Sequence, residues 1–370
     1  MRYSRDGCVQ DHFRQSPFQP AWTFIDIDID IDNQPCTEEL NMADKTLIFV
    51  GAEAHGLYRK AAGEARWEEL GDGLPPLPQA RPIAIHPEHP DIVFVGTQRG
   101  VYRSRDRGDH WQRMNLPEGR VVWSLAFHPH HAQIMYLGTE GSEVYTSQDG
   151  GENWDYLSTI VNPDAVQMAF ATRILGFAME MTEPQNMFAA LEVGGAARSH
   201  DGGKTWELIN HDLAGDVDLM DLHGVAVGAA DDSAVFIANR VGVLRSRDRG
   251  DTWENVHLER FSPIAYSRGV QMAPHDSNTL YACVGLNFGS EAGGVVRSTD
   301  LGATWERIDH GISPQSTTFG VAIHRQNPGQ ICFCTRRGQV FNSSDNGASW
   351  HEHVLPESAM NVISIACTSV

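Results

Sequence analysis

Residues 104–111 read SRDRGDHW, and this pattern, Ser-x-Asp-x-Gly-x-x-Trp, decides the fold. The pattern returns at 147–154 (SQDGGENW), 199–206 (SHDGGKTW), 246–253 (SRDRGDTW), 298–305 (STDLGATW) and 343–350 (SSDNGASW). A decayed seventh copy ends at Trp67, where the serine and the aspartate are missing. The seven tryptophans follow one another at intervals of 43 to 52 residues. A period of this size predicts one supersecondary unit that is repeated around or along an axis.

Each copy of the pattern is typical of a tight turn between two short strands. Glycine at the fifth position adopts backbone conformations that other residues resist. The serine hydroxyl and the aspartate carboxylate can accept hydrogen bonds from turn amides that no strand partner satisfies. The tryptophan can bury its ring beneath the turn. We therefore interpret these three residue types as structural rather than catalytic.

The pattern resembles the Asp-box (BNR) repeat of sialidases, xyloglucanases, sortilin-type receptors and photosystem II assembly factors. The resemblance covers about residues 42–370. In those families the repeat marks a β-propeller, and the boxes lie on the face away from the ligand. The resemblance implies the fold but leaves the function open, because its hosts include enzymes, receptors and assembly factors.

Three further strand signals accompany each box, as in RPIAIHP, DIVFVGT and GVYRSRD of residues 81–106. The first of these runs is nearly continuous in apolar residues, which predicts an inner strand buried on both faces. The unit that ends at Trp67 has no such run before Thr46, whereas NVISIAC from Asn361 supplies one. We therefore predict an all-β, seven-bladed β-propeller in which the C-terminal strand completes blade one and closes the ring.

The first 41 residues do not fit the repeat. They include IDIDIDID at 25–32, which alternates like a strand but would place a row of carboxylates on one face. Two interpretations are open: residues 1–41 are an extension outside the core, or Met42 is the natural start. Residues 42–370 are then a single propeller domain.

The amino-acid composition of the chain restricts the classes of partner that we expect it to bind. The chain has 28 Lys and Arg against 48 Asp and Glu, a net charge of −20, which argues against nucleic acid and against an anionic membrane surface. No apolar run is long enough for a transmembrane helix, no secretory leader is evident at the N-terminus, and the six cysteines include no Cys-x-x-Cys pair. These features predict a cytoplasmic protein. The histidines fall at repeated turns, so the sequence predicts no metal site, and it predicts no cofactor.

The face opposite the boxes carries the candidate site. In a propeller, the loops that lead into the inner strands and the loops between the second and third strands share this face. The predicted ligand-binding residues on it are Arg81, Arg99, Trp123, Arg173, Glu192, His223, Arg240, Tyr266, Arg268 and Arg336. Guanidinium groups bind carboxylate, sulfate or phosphate in a bidentate geometry, and aromatic side chains supply apolar walls. Alternatively, the arginines pair with Glu140, Glu192 and neighbouring acids in a solvated rim.

Three functions remain open at this stage. The preferred one is binding of a small anionic ligand, such as a sugar acid or another carboxylate, in an arginine-rich funnel. The second is a glycosidase-like hydrolase or lyase, which needs two facing carboxylates, for which Glu53, Glu140, Glu192 and Asp221 are candidates. The third is a scaffold that docks a protein partner, as the resemblance to assembly factors implies. The oligomeric state is open.

The resemblance does not extend to the catalytic features of the enzymes. The Arg-Ile-Pro motif of sialidases is absent, and sialidases have six blades where seven units are counted here. Xyloglucanases place their cleft between two tandem propellers, and this chain holds one set of repeats. Either specific activity is therefore in doubt.

Overall fold

A computed structural model describes residues 46–53, 56–228, 234–356 and 359–370. They all belong to one compact unit. The proposed extension, residues 1–41, and the possible start at Met42 lie outside the described residues, so both interpretations stay predictions.

The fold is a seven-bladed β-propeller, and each blade is a four-stranded antiparallel sheet. The inner strands of blades one to seven are Val362–Ser369, Ile83–Ile85, Val122–Phe127, Arg173–Met179, Gly224–Val227, Tyr266–Ala273 and Thr318–Ile323. The second strands are Thr46–Ala52, Val93–Thr97, Met135–Thr139, Met187–Glu192, Val235–Asn239, Asp276–Gly285 and Ile331–Thr335. The third strands are Gly56–Ala61, Gly100–Ser104, Glu143–Ser147, Gly195–Ser199, Gly242–Ser246, Gly293–Ser298 and Gln339–Ser343. The outer strands are Glu68–Leu70, Gln112–Arg113, Asp155–Thr159, Glu207–Leu208, Glu254–Asn255, Glu306–Arg307 and His351–Val354.

The ring closes as the sequence predicts. The C-terminal strand Val362–Ser369 pairs antiparallel with Thr46–Ala52, so that Ile48 is opposite Cys367 and Val50 is opposite Ile365. The inner strand of each blade contacts the inner strands on both sides, and the C-terminal strand contacts those of blades seven and two. Because the last strand of the chain belongs to the first blade, the two ends of the propeller cannot separate without breaking a sheet.

Burial across each blade differs from the prediction. Full burial occurs in second strands instead: every residue of Val93–Thr97 and of Ile331–Thr335 is buried. The inner strands were expected to be buried on both faces, and this is wrong, since Ile83–Ile85 and most of Arg173–Met179 are only half-buried. At Ile83–Ile85 the physical reason is a cavity of about 230 Å³ that opens between the inner strands of blades two, six, seven and one.

The six intact boxes form one repeated hydrogen-bond pattern between the third and outer strands. In the last box, the Ser343 hydroxyl donates to Asp345 Oδ1 (2.8 Å) and accepts from the Gly347 amide (2.8 Å). The Ser349 amide and hydroxyl donate to the two oxygens of Asp345 (2.8 and 2.6 Å) and lower the pKa of this carboxyl to about 2. Asn346 and Gly347 have φ of 58° and 87°, the left-handed conformation that the turn requires. The boxes are structural staples at the turns.

An arginine just before the box links neighbouring blades, which the sequence analysis did not predict. Arg245 bonds to Glu254 on its own blade, and its Nη1 donates to the carbonyl of Leu301 in the box of the next blade (2.9 Å). The same bond to the next blade runs from Arg59 to Arg107 O, from Arg198 to Arg249 O and from Arg297 to Asn346 O. For three of the four arginines, the Arg-Ser dipeptide at the end of the third strand was the available signal, whereas Arg59 is followed by Lys60.

Helical structure is almost absent from the described residues. It consists of the four-residue helix Val217–Met220 and a 3-10 turn at Leu258–Arg260. Neither is long or apolar enough to span a membrane. The part of the chain that the structure describes also contains no group of three His, Cys, Asp or Glu side chains arranged to hold a metal ion.

Candidate functional site

Bulges in the inner strands place two of the predicted residues, Arg268 and Trp123, and one further residue, Phe319. In blade six, Ser267 is opposite Val284 and Gly269 is opposite Cys283, so Arg268 is an extra residue without a partner. Trp123 and Phe319 occupy the corresponding bulges of blades three and seven. A β-bulge interrupts the regular alternation of side chains and re-aims the extra residue. All three bulges lie at the ends of the inner strands that are farthest from the boxes.

Arg268 and Arg336 lie against one pair of aromatic rings. The Cζ atom of Arg268 is 4.7 Å from the ring centroid of Phe319, and that of Arg336 is 4.0 Å from the ring centroid of Phe288. The two rings meet edge to face at 5.6 Å. Arg268 also donates to the Tyr266 hydroxyl, at 3.4 Å.

Neither of these two arginines has a carboxylate within ion-pair distance among the described residues. Burial, together with the nearby charge of Arg268, lowers the pKa of Arg336. We refer to Arg268 and Arg336 with Phe288 and Phe319 as the arginine–phenylalanine cluster.

A second group of stacked side chains spans blades two to four. The ring of Trp123 has the Cζ of Arg81 at 4.0 Å and the Cζ of Arg173 at 4.1 Å from its centroid. Arg173 also lies 4.1 Å from the ring centroid of Phe170. Unlike the arginines of the first cluster, Arg173 is neutralised, because its Nη1 donates to Glu192 Oε2 at 2.9 Å.

The third group lies on blade five and is also neutralised. Arg240 donates through Nε to Asp221 Oδ2 (2.7 Å), and its Nη1 is 3.1 Å from Asp218 Oδ1. Burial would raise the pKa of Asp221, but its interactions with His223 and Arg240 lower it to about 2. The side chain of His223 is completely buried, and burial with the charge of Arg268 lowers its pKa to about 4. His223 therefore lies beneath the site rather than at its surface.

A cavity of about 570 Å³ connects these groups. It is lined by Met168, Phe170, Arg173, Glu192, Val193, Asp218, Asp221, Arg240, Tyr266, Arg268, Leu286, Asn287 and Phe288.

Five of the ten predicted residues line the cavity: Arg173, Glu192, Arg240, Tyr266 and Arg268. Trp123 and Arg336 contact residues of this lining, and Arg81 stacks on Trp123. Arg99 is exposed, its backbone bonds to Thr97 and Arg113, and it does not line the cavity.

Sequence reasoning missed four apolar residues of the wall. Phe288 and Leu286 flank Asn287 in the loop between the second and third strands of blade six. Met168 and Phe170 lie in the long loop that leads into blade four. The available signal was the presence of apolar residues in these loops. A comparison of the repeated strands does not detect it, because the loops lie outside the repeat.

The comparisons with known proteins agree with this fold. The family model described as "Sortilin, neurotensin receptor 3," matches residues 64–180, and the BNR/Asp-box repeat model matches residues 197–208. The chain is an Asp-box repeat β-propeller.

Two curated relatives point to two kinds of protein. Xyloglucanase Xgh74A of Acetivibrio thermocellus is 30% identical over 150 residues, which are 36% of this chain and 17% of the relative. The photosystem II assembly lipoprotein Ycf48 of a Synechococcus species is 24% identical over 278 residues, 74% of this chain and 75% of the relative. The chain thus spans less than a fifth of that xyloglucanase and three quarters of the assembly factor.

Solved structures of the same two kinds share the fold. The GH74 xyloglucanase from Xanthomonas campestris superposes with a TM-score of 0.62 at 16% identity, over 88% of this chain and 53% of the enzyme. YCF48 bound to D1 peptide gives a TM-score of 0.54 at 13% identity, over 85% of this chain and 93% of that one. At these identities the likeness concerns the fold alone.

Proposed function

We propose that this propeller is a binding protein that holds a carboxylate-bearing ligand at Arg268 and Arg336, on the face away from the Asp boxes. One observation carries the proposal: both guanidinium groups lie on the Phe288–Phe319 pair, and neither has an acidic partner in the described part of the chain. A half-buried cation beside apolar rings has lost hydration without gaining a counter-ion. A ligand carboxylate supplies that interaction, and a guanidinium binds it in a bidentate geometry.

The cavity beside the cluster suits a ligand with a charged end and an apolar body. Its volume of about 570 Å³ is in the range of small-molecule sites, and a sugar acid or the end of a peptide fits that size. Phe170 and Phe288 offer flat apolar surfaces on the wall, while Arg268 offers the charge. This arrangement favours a ligand that is anionic at one point rather than along its whole length.

The ion pairs of the site argue against glycoside hydrolysis as the function. A glycosidase needs one carboxyl group with a raised pKa as its general acid. Asp221, the most buried acid on the wall, has a pKa lowered to about 2 instead, and Glu192 is held by Arg173. Xyloglucan hydrolysis is therefore the weaker candidate, although xyloglucanases are among the relatives.

Docking of a protein partner is the second candidate, and the exposed apolar side chains favour it. Leu77, Met168, Leu286, Phe288 and Met360 are between 44% and 71% exposed, and all lie in loops of the ligand face. Exposed apolar residues around a charged centre are typical of protein interaction surfaces. A partner segment with an acidic residue among apolar ones would contact both features.

A thermal-shift screen tests the proposal. Sugar acids, simple carboxylates, phosphate, sulfate, a short acidic peptide and xyloglucan oligosaccharide are compared on the wild type, on Arg268→Ala and on Arg336→Ala. Arg105→Ala is the control, because Arg105 is 62% exposed beside the boxes. A ligand at 100 times its Kd should stabilise the wild type and the control by about 2.7 kcal/mol and should fail on both variants.

Each outcome distinguishes the candidates. Stabilisation by small carboxylates supports the anion site, and stabilisation by the peptide alone supports docking. Release of reducing ends from xyloglucan, or equal responses of all variants, would contradict the proposal.

A further inference from the structure

Arg81 is a buried cation with an incomplete set of partners. Its side chain is only 7% exposed, and its Nη2 bonds to Gln79. Its Nε and Nη1 atoms have no hydrogen-bond partner, and the carboxylate of Glu53 is 3.7 Å from Nη2, beyond hydrogen-bonding distance. Burial lowers the pKa of Arg81 to about 10, which shows that the charged form is poorly compensated.

The other paired arginines of the site are bound more tightly. Arg173 is 2.9 Å from Glu192, and Arg240 is 2.7 Å from Asp221. Glu53, by contrast, is 45% exposed and is not in hydrogen-bonding contact with Arg81. Its charge also acts on Arg336, which has no ion-pair partner among the described residues. The carboxylate of Glu53 therefore lies near two arginines, Arg81 and Arg336, and is not hydrogen-bonded to Arg81.

Trp123 holds the Arg81 guanidinium in position. The Cζ of Arg81 is 4.0 Å from the indole centroid, and Arg173 stacks on the same ring from the blade on the other side. Trp123 Nε1 is itself buried without a partner. A fixed guanidinium loses little conformational freedom when an anion binds, so ordering Arg81 costs an incoming carboxylate little. Glu53, at 3.7 Å, competes with that carboxylate without a hydrogen bond to Arg81.

We propose that Arg81 forms a second anion subsite, and that the ligand is a dianion. One carboxylate binds Arg268 and Arg336, and the other displaces Glu53 from Arg81 while the exposed Glu53 side chain turns to water. The inference rests on the proposed function above and adds the second charge of the ligand. The chemical class is a dicarboxylate, such as an aldaric acid or a linear aliphatic diacid.

Isothermal titration with a series of diacids measures the spacing of the two subsites. Malonate, succinate, glutarate, adipate, pimelate and suberate are compared with the monocarboxylates of equal chain length. One length should bind the wild type about tenfold more tightly than its monocarboxylate, a difference of about 1.4 kcal/mol.

Three variants separate the subsites. Arg81→Met should abolish the preference for the diacid, so that the diacid and the monocarboxylate of equal chain length bind with the same affinity. Glu53→Gln removes the competing carboxylate and should tighten diacid binding. Arg103→Met is the matched control, because Arg103 is 5% exposed and pairs with Glu152 beside the boxes; it should retain the wild-type preference.

Two results would overturn the inference: equal affinities for diacids and monocarboxylates in the wild type, or a diacid preference that survives in Arg81→Met. If Arg81→Met does not fold, Glu53→Gln decides, since unchanged or weaker diacid binding contradicts the displacement of Glu53. Monocarboxylates that bind and depend on Arg268 leave the proposed function intact while this inference fails. If no carboxylate binds at all, both fail.

Discussion

Two adjacent serines in the last box allow a direct test of whether the hydrogen bonds of the box stabilise its turn. The Ser343 hydroxyl is fully buried, accepts from the Gly347 amide and donates to Asp345, each at 2.8 Å. Ser344 is exposed, and its hydroxyl makes no hydrogen bond among the described residues. Replacing Ser343 by Ala leaves the Gly347 amide buried without a partner and removes one restraint on the Asp345 carboxylate. The unsatisfied amide and the lost bond together should cost about 2 to 3 kcal/mol.

The measurement is the free energy of unfolding from urea titrations, supported by calorimetry. For a propeller of this length, that loss corresponds to a fall in Tm of about 3 to 4 °C. Ser344→Ala, which removes the same atom one residue away, should stay within about 0.5 kcal/mol of the wild type. Equal losses in the two variants, or no loss in Ser343→Ala, would show that the box hydroxyl does not hold the turn.

Three further predictions concern the ring. Removing residues 362–370 deletes the inner strand of blade one and should abolish cooperative unfolding in calorimetry, whereas removing residues 1–41 should leave the Tm nearly unchanged. Arg245→Met should lose about 1 kcal/mol in urea titrations because it breaks the bond to the next blade. Arg247 is 57% exposed and pairs with no acid but Glu254 among the described residues, so Arg247→Met should lose almost nothing, and similar losses would refute the link between blades. Burial and the charge of Lys60 lower the pKa of His353 to about 4, so its stabilising effect is complete above pH 6.5 and is lost as the pH falls from about 6.5 to 4. His353→Gln should flatten that fall in unfolding free energy, and an unchanged pH profile would contradict the assignment.

The sequence predicts the architecture well because the repeat determines it. The six boxes and the decayed copy at Trp67 give the number of blades. Because no apolar run for an inner strand precedes Thr46, blade one requires a strand from elsewhere in the chain. The pattern of Val362–Ser369 matches that strand. What periodicity could not reveal is the cavity between the inner strands of blades two, six, seven and one, because the spacing of these strands depends on how the whole ring packs. The prediction of a fully buried inner strand failed at Ile83–Ile85 for that reason.

The sequence predicts which residues lie on the face away from the boxes, but it does not predict which arginines form ion pairs with acidic residues. Topology alone places Arg173, Arg240 and Arg268 on one face. Whether an arginine meets an acid depends on the distance between side chains, and Arg173 reaches Glu192 while Arg268 reaches no acid in the described part of the chain. The solvated rim of ion pairs describes Arg173 and Arg240. Arg268 and Arg336 have no acidic partner among the described residues, and anion binding by these two arginines stays a prediction. Phe288 was not predicted as a site residue because it lies in a loop, outside the repeated strand pattern.

The measurement that tests the central claim most directly is the position of a bound carboxylate. Crystals soaked with 4-bromobenzoate would show the bromine by anomalous diffraction and the carboxylate in the difference density. We expect the carboxylate within hydrogen-bonding distance of Arg268 and Arg336, with its ring against Phe288, and no density in the same place in crystals of Arg268→Ala. Binding beside the boxes at Arg59 and Arg107, or unchanged density at the site in Arg268→Ala, would contradict the claim that these two arginines are the ligand site.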